Sequence, residues 1–327
     1  MKTVSVVIPV YNAEDAIRRC LDSIFSQDNA ATEVVAIDDG STDNSLAILN
    51  EYGSTHSNLR VISQTNQGIA RTRNRGIEIA TGDYLLFVDN DDTLDRDYIQ
   101  TYMGHLTQDY DIVVGGWRRR DSTGKLIYER RMKGFEWETY INTYPWDKLY
   151  KREFLLENDV RFLDYGIGED VYFTLRAKAS NPKIKLIDYV GYTWFLEKAS
   201  VSNTAHKGLN KNLDVIHLLD KVDGLFQQRP ELLGYYYKRF LVWYMLYSGR
   251  DSDAASFMTE YRRLWAWLHA HQGASTLTPF SRLLGGEKLF ERLSVLGFSV
   301  IGRLRLMRLF AVLYCTGRAQ RPSHQGN

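Results

Sequence analysis

Two cysteines in 327 residues, Cys20 and Cys315, stand far apart in the chain. They build neither a disulfide framework nor a cysteine-based metal site. Charge of one sign is missing as well: 41 Lys and Arg face 40 Asp and Glu, a net charge of +1. A dedicated nucleic-acid binder carries a basic excess, so no nucleic-acid partner is expected. No apolar run reaches the length that spans a bilayer. Met1-Lys2-Thr3 passes at once into a β-branched apolar run, unlike a secretory signal. A reducing, cytoplasmic setting is therefore the expectation. Glycine-rich phosphate loops are absent too. The first apolar run ends in Pro9-Val10-Tyr11-Asn12, without a dinucleotide-fold fingerprint, and no Gly-x-x-x-x-Gly-Lys occurs.

What is present is a globular balance, 44% hydrophobic and 25% charged, of a size for one large or two ordinary domains. Aromatics reach 13% and suit either a core or a sugar or base site. The first ~110 residues alternate strand and helix. Strands are expected at 4–10, 33–37, 59–62 and 84–88. Helices are expected between them, one after Asn12 as a cap, one capped by Ser41 or Thr42, and one over 69–80. A further helix is expected over 94–106. This order predicts a parallel α/β sheet with helices on both faces, binding its ligand beyond the carboxyl ends of the strands. The stretch 111–194 is mixed, with strands at 112–114, 185–187 and 192–196 and a helix opened by Glu169-Asp170. Past about Ser202 only helices are expected, at 209–226, 231–247 and 254–269. The expected division is therefore 1–205 and 206–327, with the boundary near 200–206.

Acidic clusters fall at strand ends: Asp38-Asp39, Asp89-Asn90-Asp91-Asp92, and later Glu169-Asp170. Like charges gathered at one sheet edge repel unless solvent screens them or something positive binds. A divalent cation with a polyphosphate answers this, since Mg²⁺ and Mn²⁺ use one or two carboxylates plus substrate phosphates. Each cluster also has a structural reading as a turn, a cap or a helix-dipole partner.

Four ordered segments carry a family resemblance: 4–12, Asp38-Asp39-Gly40-Ser41-Thr42-Asp43, 66–74 and 82–92. Over about residues 1–205 they resemble the inverting family 2 glycosyltransferases of the GT-A fold. Trp146-Asp147-Lys148-Leu149-Tyr150 and Gly168-Glu169-Asp170 resemble the bacterial surface-polysaccharide branch of that family. The resemblance implies a Rossmann-like nucleotide-binding sheet and a UDP-sugar donor. In it, Pro9, Val10 and Tyr11 end the first strand, with Tyr11 stacking on uracil. Asp39 accepts from uracil N3–H, Asp38 supports the loop or the nucleoside, and Arg71 lies near the nucleotide. Asp89-Asn90-Asp91 is the Asp-x-Asp motif, with Asp89 at the ribose and Asp91 ligating Mn²⁺ or Mg²⁺. Asp170 is the catalytic base. The implied acceptor is a glycan or lipid-linked glycan. Where related enzymes carry Tyr-x-Arg, this chain has Gly191-Tyr192-Thr193-Trp194-Phe195, and Lys198 or His206 is the substitute cation considered for the phosphates.

Two other classes share parts of the pattern. A nucleotidyltransferase would need a basic, glycine-rich loop near the start, which is missing. A non-catalytic sugar- or nucleotide-binding module would not need Asp91 and Asp170. Finally, residues 292–321 hold six Arg and no acidic residue. Leu293, Leu296, Val300, Leu304, Met307, Ala311 and Tyr314 fall on one face of the helix expected there. Such a tail suits a peripheral membrane contact, or a helix docked on the protein with a solvated basic edge.

Overall fold

The computed structural model describes residues 2–27, 32–165, 168–196, 209, 214–226, 231–271 and 277–315. The chain divides into two compact units: Met1–Gly134 with Asn142–Glu197, and Phe135–Ile141 with Lys198–Asn327. The expected boundary at 200–206 lies outside the described residues, as do Lys198 and His206.

The first unit opens with β1 (Val4–Val10), α1 (Ile17–Phe25), β2 (Thr32–Asp38), α2 (Ser45–Thr55), β3 (Leu59–Ser63), α3 (Ile69–Ile79) and β4 (Tyr84–Phe87). It continues with β5 (Thr93–Leu94), α4 (Tyr98–Gly104), β6 (Ile112–Asp121) and β7 (Leu126–Arg130). After α5 (Glu138–Ile141), which belongs to the second unit, come β8 (Lys148–Lys151), α6 (Arg152–Glu157), α7 (Glu169–Ala179) and β9 (Ile184–Leu196). Among the described residues these strands form one sheet in the order β3-β2-β1-β4-β8-β6-β9-β5, with β7 paired to β6.

Every residue of β1 is buried because both sheet faces are covered. Val4, Val6, Ile8 and Val10 pack with Ile17, Cys20, Leu21 and Ile24 of α1. Val7 points the other way, into a core with Ala70 and Ile77 of α3. A Cβ on Gly76 would come within 2.3 Å of Val7 Cγ1, so α3 lies tight on β1. The chain runs from β1 outward to β2 and β3, then returns to place β4 on the other side of β1. That reversal leaves a crevice beyond the carboxyl ends of β1 and β4.

Several expectations need correction. The sheet is parallel only over β3-β2-β1-β4 and between β6 and β9, while β8 runs antiparallel to both its neighbours. No helical crossover joins β6 to β7, and a tight turn links only antiparallel strands. The two strands expected at 185–187 and 192–196 are one, β9. The 94–106 helix begins at Tyr98, because Thr93 and Leu94 pair with β9. Asn12 does not cap α1; at φ 48° its side chain accepts from the Thr42 N–H instead (2.8 Å).

The second unit holds α5, α8 (Val215–Asp223), α9 (Glu231–Tyr247), α10 (Ala254–His271), α11 (Leu289–Arg303) and α12 (Met307–Tyr314). Buried Glu287 accepts from Trp137 Nε1 (2.9 Å) and pairs with Arg239 of α9. The single tail helix breaks at Leu304–Leu306, where Arg305 takes φ 59°. The break lets Met307 and Ala311 turn into the core while Leu304 and Leu306 stay exposed. Residues beyond 315 lie outside the described residues. No helix of the described residues is long and apolar enough to cross a membrane.

Candidate active site

The carboxylates expected from the sequence gather at the carboxyl ends of β1, β2 and β4. Val10 and Asp38 stand in register at the ends of adjacent strands. Asp38 is buried and accepts from Ser41 N (3.3 Å) and Ser63 Oγ (3.2 Å), so its carboxylate braces the loop. Asp39 accepts from Gln64 Nε2 (2.7 Å), Gln67 N (2.9 Å) and Gly68 N (2.8 Å). Those bonds occupy three of the roughly four lone-pair directions of a carboxylate. Tyr11, just past β1, is 49% exposed. Asn90 Nδ2 donates to the Pro9 carbonyl (3.1 Å), which ties the Asp-x-Asp loop to the end of β1. Arg71 stands in an exposed ion pair with Asp164 (2.6 Å).

Arg73, two residues on, joins the acidic clusters. Ala70, Arg73 and Ile77 share the buried face of α3, so the guanidinium is carried under the sheet edge. Its Nη2 meets Asp89 Oδ1 at 2.7 Å, and its Nη1 meets Asp170 Oδ1 at 2.6 Å and Glu169 Oε1 at 3.6 Å. Burial works against its charge, yet Asp170, Asp89 and Glu169 outweigh it and hold Arg73 above its ordinary value. Asp170 opens α7 behind Gly168, a residue in the left-handed conformation. Burial pushes the Asp170 carboxyl up to about 7, with Arg73 pulling it down and Glu169 and Asp89 pushing it up. A carboxylate poised near neutrality suits general-base work.

Asp91 and Asp92 have different environments. Asp91 is half-buried, and its carbonyl accepts from Arg19 (2.7 Å). Asp92 is fully buried and accepts from the Tyr192 hydroxyl (2.7 Å) and Phe195 N (3.0 Å). Burial, then Asp91 and Asp89, push its carboxyl well up. Tyr192 OH also accepts from Asp89 N (3.2 Å), so β9 pins the motif loop from beneath. Asp92 therefore positions the loop. Among the described residues no three His, Cys, Asp or Glu side chains stand together as a ready metal cage. The donors at the end of β4 are few, hard oxygens, which fit a Mg²⁺ or Mn²⁺ sharing its coordination with substrate phosphates.

Trp146-Asp147-Lys148 proves to be a buried polar knot. Lys148 Nζ meets Asp147 Oδ1 and the Tyr144 carbonyl, each at 2.5 Å. Asn142 donates to the other Asp147 oxygen and accepts from Trp117 Nε1 (3.3 Å). Burial lowers Lys148 and raises Asp147 from their ordinary values, the pair countering both shifts. Thr174 Oγ1, one turn past Asp170, donates to the Thr143 carbonyl (3.3 Å), which sets this segment beside the start of α7.

The glycosyl transferase family 2 model matches residues 5–172. Uncharacterized glycosyltransferase YibD of Escherichia coli K12 is 30% identical over 244 residues, 68% of this chain and 70% of the relative. The poly(ribitol-phosphate) beta-glucosyltransferase of Bacillus spizizenii is 32% identical over 205 residues, 60% of this chain but 32% of the relative. Among solved structures, S. aureus TarS 1–349 in complex with UDP shares the fold. It has a TM-score of 0.69 at 19% identity, over 93% of this chain and 91% of that one. With its mixed α/β sheet, its acidic motif at the end of β4 and a family match spanning more than half its length, this chain belongs to glycosyl transferase family 2 and is a transferase enzyme.

Proposed function

We propose that the enzyme transfers a sugar from a UDP-sugar to a hydroxyl of a bacterial glycan acceptor, with inversion and with a divalent metal. The observation that carries the reading is Arg73, which holds Asp89 of the Asp-x-Asp motif and Asp170 on one guanidinium. A donor-side carboxylate and a base near neutrality are thereby kept a single side chain apart. Tyr11, half exposed past β1, is the stacking surface for the base, and the remaining Asp39 lone pair is the acceptor for uracil N3–H. Asp89 takes the ribose and Asp91 holds the cation, Mn²⁺ or Mg²⁺. When bound, that cation supplies positive charge to the departing diphosphate. Asp170 takes the proton of the acceptor hydroxyl as its oxygen bonds to the anomeric carbon. The bond from that carbon to the β-phosphate oxygen breaks, and UDP leaves from the opposite face. One displacement turns an α-linked donor into a β-linked product, with no covalent intermediate and no carboxyl pair across the scissile bond.

Named functions of the relatives support a wall or surface polysaccharide as the acceptor class, including the poly(ribitol-phosphate) beta-glucosyltransferase. A lipid-held acceptor accords with the second unit. From Phe280 to Leu313 twelve large apolar side chains are exposed, Phe290 and Leu313 at 75% and 78%. Arg282, Lys288, Arg303, Arg305 and Arg308 lie in the same stretch. Apolar burial combined with basic charge suits the surface of an anionic bilayer. The test is a screen of UDP-Glc, UDP-Gal, UDP-GlcNAc and UDP-GlcA for turnover with Mn²⁺ and with EDTA, with UDP and CDP as competitors. Metal-dependent turnover of one UDP-sugar, inhibited far better by UDP than by CDP, supports the reading. Equal inhibition by both nucleotides, or turnover indifferent to EDTA, contradicts it.

A further inference from the structure

Beyond β8, on the side of the sheet away from Tyr11 and Asp39, one face carries two arginines among aromatic rings. Trp117 and Arg119 of β6 stand opposite Arg130 and Tyr128 of β7. Tyr192 and Trp194 of β9 flank Trp117 and Arg119 on their other side. Two-residue alternation puts all six side chains on the same face. Arg119 lies over the Trp194 ring (5.2 Å), and Tyr144 packs edge-on to Trp117 (5.4 Å). The other arginines on or beside these strands are engaged. Arg118 pairs with Asp95, Arg120 donates to the Gly124 carbonyl (2.6 Å), and Arg131 pairs with Glu129 (2.9 Å).

Arg119 and Arg130 differ. Among the described residues neither has a hydrogen bond or an ion pair. Arg119 Nε and both Nε and Nη2 of Arg130 are buried without a partner, although both residues are partly exposed. The nitrogens not buried in this way, Nη1 and Nη2 of Arg119 and Nη1 of Arg130, are the N–H groups open to the oxygens of a carboxylate or phosphate. Leaving the buried donors without a partner is costly. Two like charges on neighbouring strands add to the cost.

Their position relative to the base assigns the missing partner. Tyr144 follows Thr143, which α7 holds through Thr174 one turn past Asp170. Arg130 and Arg119, and with opposite sign Asp147 and Asp170, all act electrostatically on the Tyr144 phenol. The donor's nucleotide side lies at the ends of β1, β2 and β4. The arginines stand on β6 and β7, across β8 from it.

We propose that Arg119 and Arg130 bind an oxyanion carried by the acceptor, a phosphodiester or a uronic-acid carboxylate close to the accepting hydroxyl, with Trp194 and Tyr144 as the apolar walls. This rests on the transferase reading above and adds the charge of the acceptor to it.

The experiment uses the full chain saturated with UDP and Mn²⁺, so that the donor's diphosphate site is filled. Methyl phosphate, glucuronate and the neutral methyl glucoside are titrated in turn by NMR. Binding of one anion and not of methyl glucoside is expected, and which anion binds separates the two sources. Arg130→Gln and Arg119→Gln should each weaken that binding at least tenfold. Arg130→Lys, which keeps the charge without the guanidinium, should recover only part of it. UDP affinity, measured alongside, should stay within twofold of the parent, which also shows that each variant is folded. No anion binding to the parent chain, or equal binding by the Gln variants, overturns the proposal. A fall in UDP affinity in a variant whose circular dichroism and melting match the parent's assigns the pair to the donor's phosphates and overturns it too. Failure of the parent to bind UDP at all strikes the donor reading instead.

Discussion

Replacing Arg73 by Met removes a buried cation that Asp89, Asp170 and Glu169 share. The volume is roughly kept, so the change is chiefly electrostatic. An adjacent arginine typically depresses a carboxyl by about 1–3 units, so losing it lifts Asp170 from about 7 toward about 9. A base works only when ionised. At pH 7.5 the ionised fraction falls from about 0.76 to about 0.03, a loss of about 25-fold in rate. Asp89 and Asp170 are 27% and 28% exposed, so water takes up part of the loss and 25-fold is an upper figure for this term. The assay is the pH dependence of kcat/KM, which reports groups of the free enzyme. In the parent chain the rate should rise with pH through about 7. In Arg73→Met the rising limb should shift up by about 1–2 units, with activity partly recovered by alkaline pH. A variant uniformly weaker at every pH, with its limb unmoved, would refute the coupling of Arg73 to the base.

Other consequences are independent of that one. Asp91→Ala should abolish transfer and weaken UDP binding with Mn²⁺ present but not with EDTA, measured by calorimetry; full activity removes Asp91 from the metal site. Lys148→Met leaves Asp147 buried and unpaired, so chemical denaturation should show a loss of about 3–5 kcal/mol. A change below about 1 kcal/mol would mean that the knot around Asn142 and Tyr144 does not depend on the ion pair. In co-sedimentation, vesicles rich in anionic lipid should retain the parent chain, and the triple change Phe290→Ser, Leu304→Ser, Leu313→Ser should release it. Equal retention of both leaves the apolar stretch without a membrane role.

The sequence was most legible where period and chemistry agree. The run from Val4 to Val10 has no polar face because helices cover both sides of the sheet, and the acidic motif after β4 stands where an α/β crevice must lie. It was least legible where one side chain serves a distant element. Arg73 hides between Arg71 and Arg75, yet its place between Ala70 and Ile77 at helical spacing puts a cation on a core-facing stripe. An arginine there calls for buried carboxylates, and that signal was available. Asp92 reads as a cap, but its partners are on β9, about a hundred residues later. The antiparallel β8 could not be foreseen from periodicity, which reports which face is buried but not strand direction. The break at Arg305 follows from Met307 and Ala311 packing inward, a tertiary demand that overrides the regular stripe through Leu304.

The proposed transfer depends above all on Asp170 as the base. Asp170→Asn keeps the shape of the side chain and removes its basicity. With the UDP-sugar identified by the screen, turnover should fall by about 100-fold or more while UDP affinity holds. Undiminished turnover in Asp170→Asn, with Glu169→Gln the crippling change instead, would contradict it.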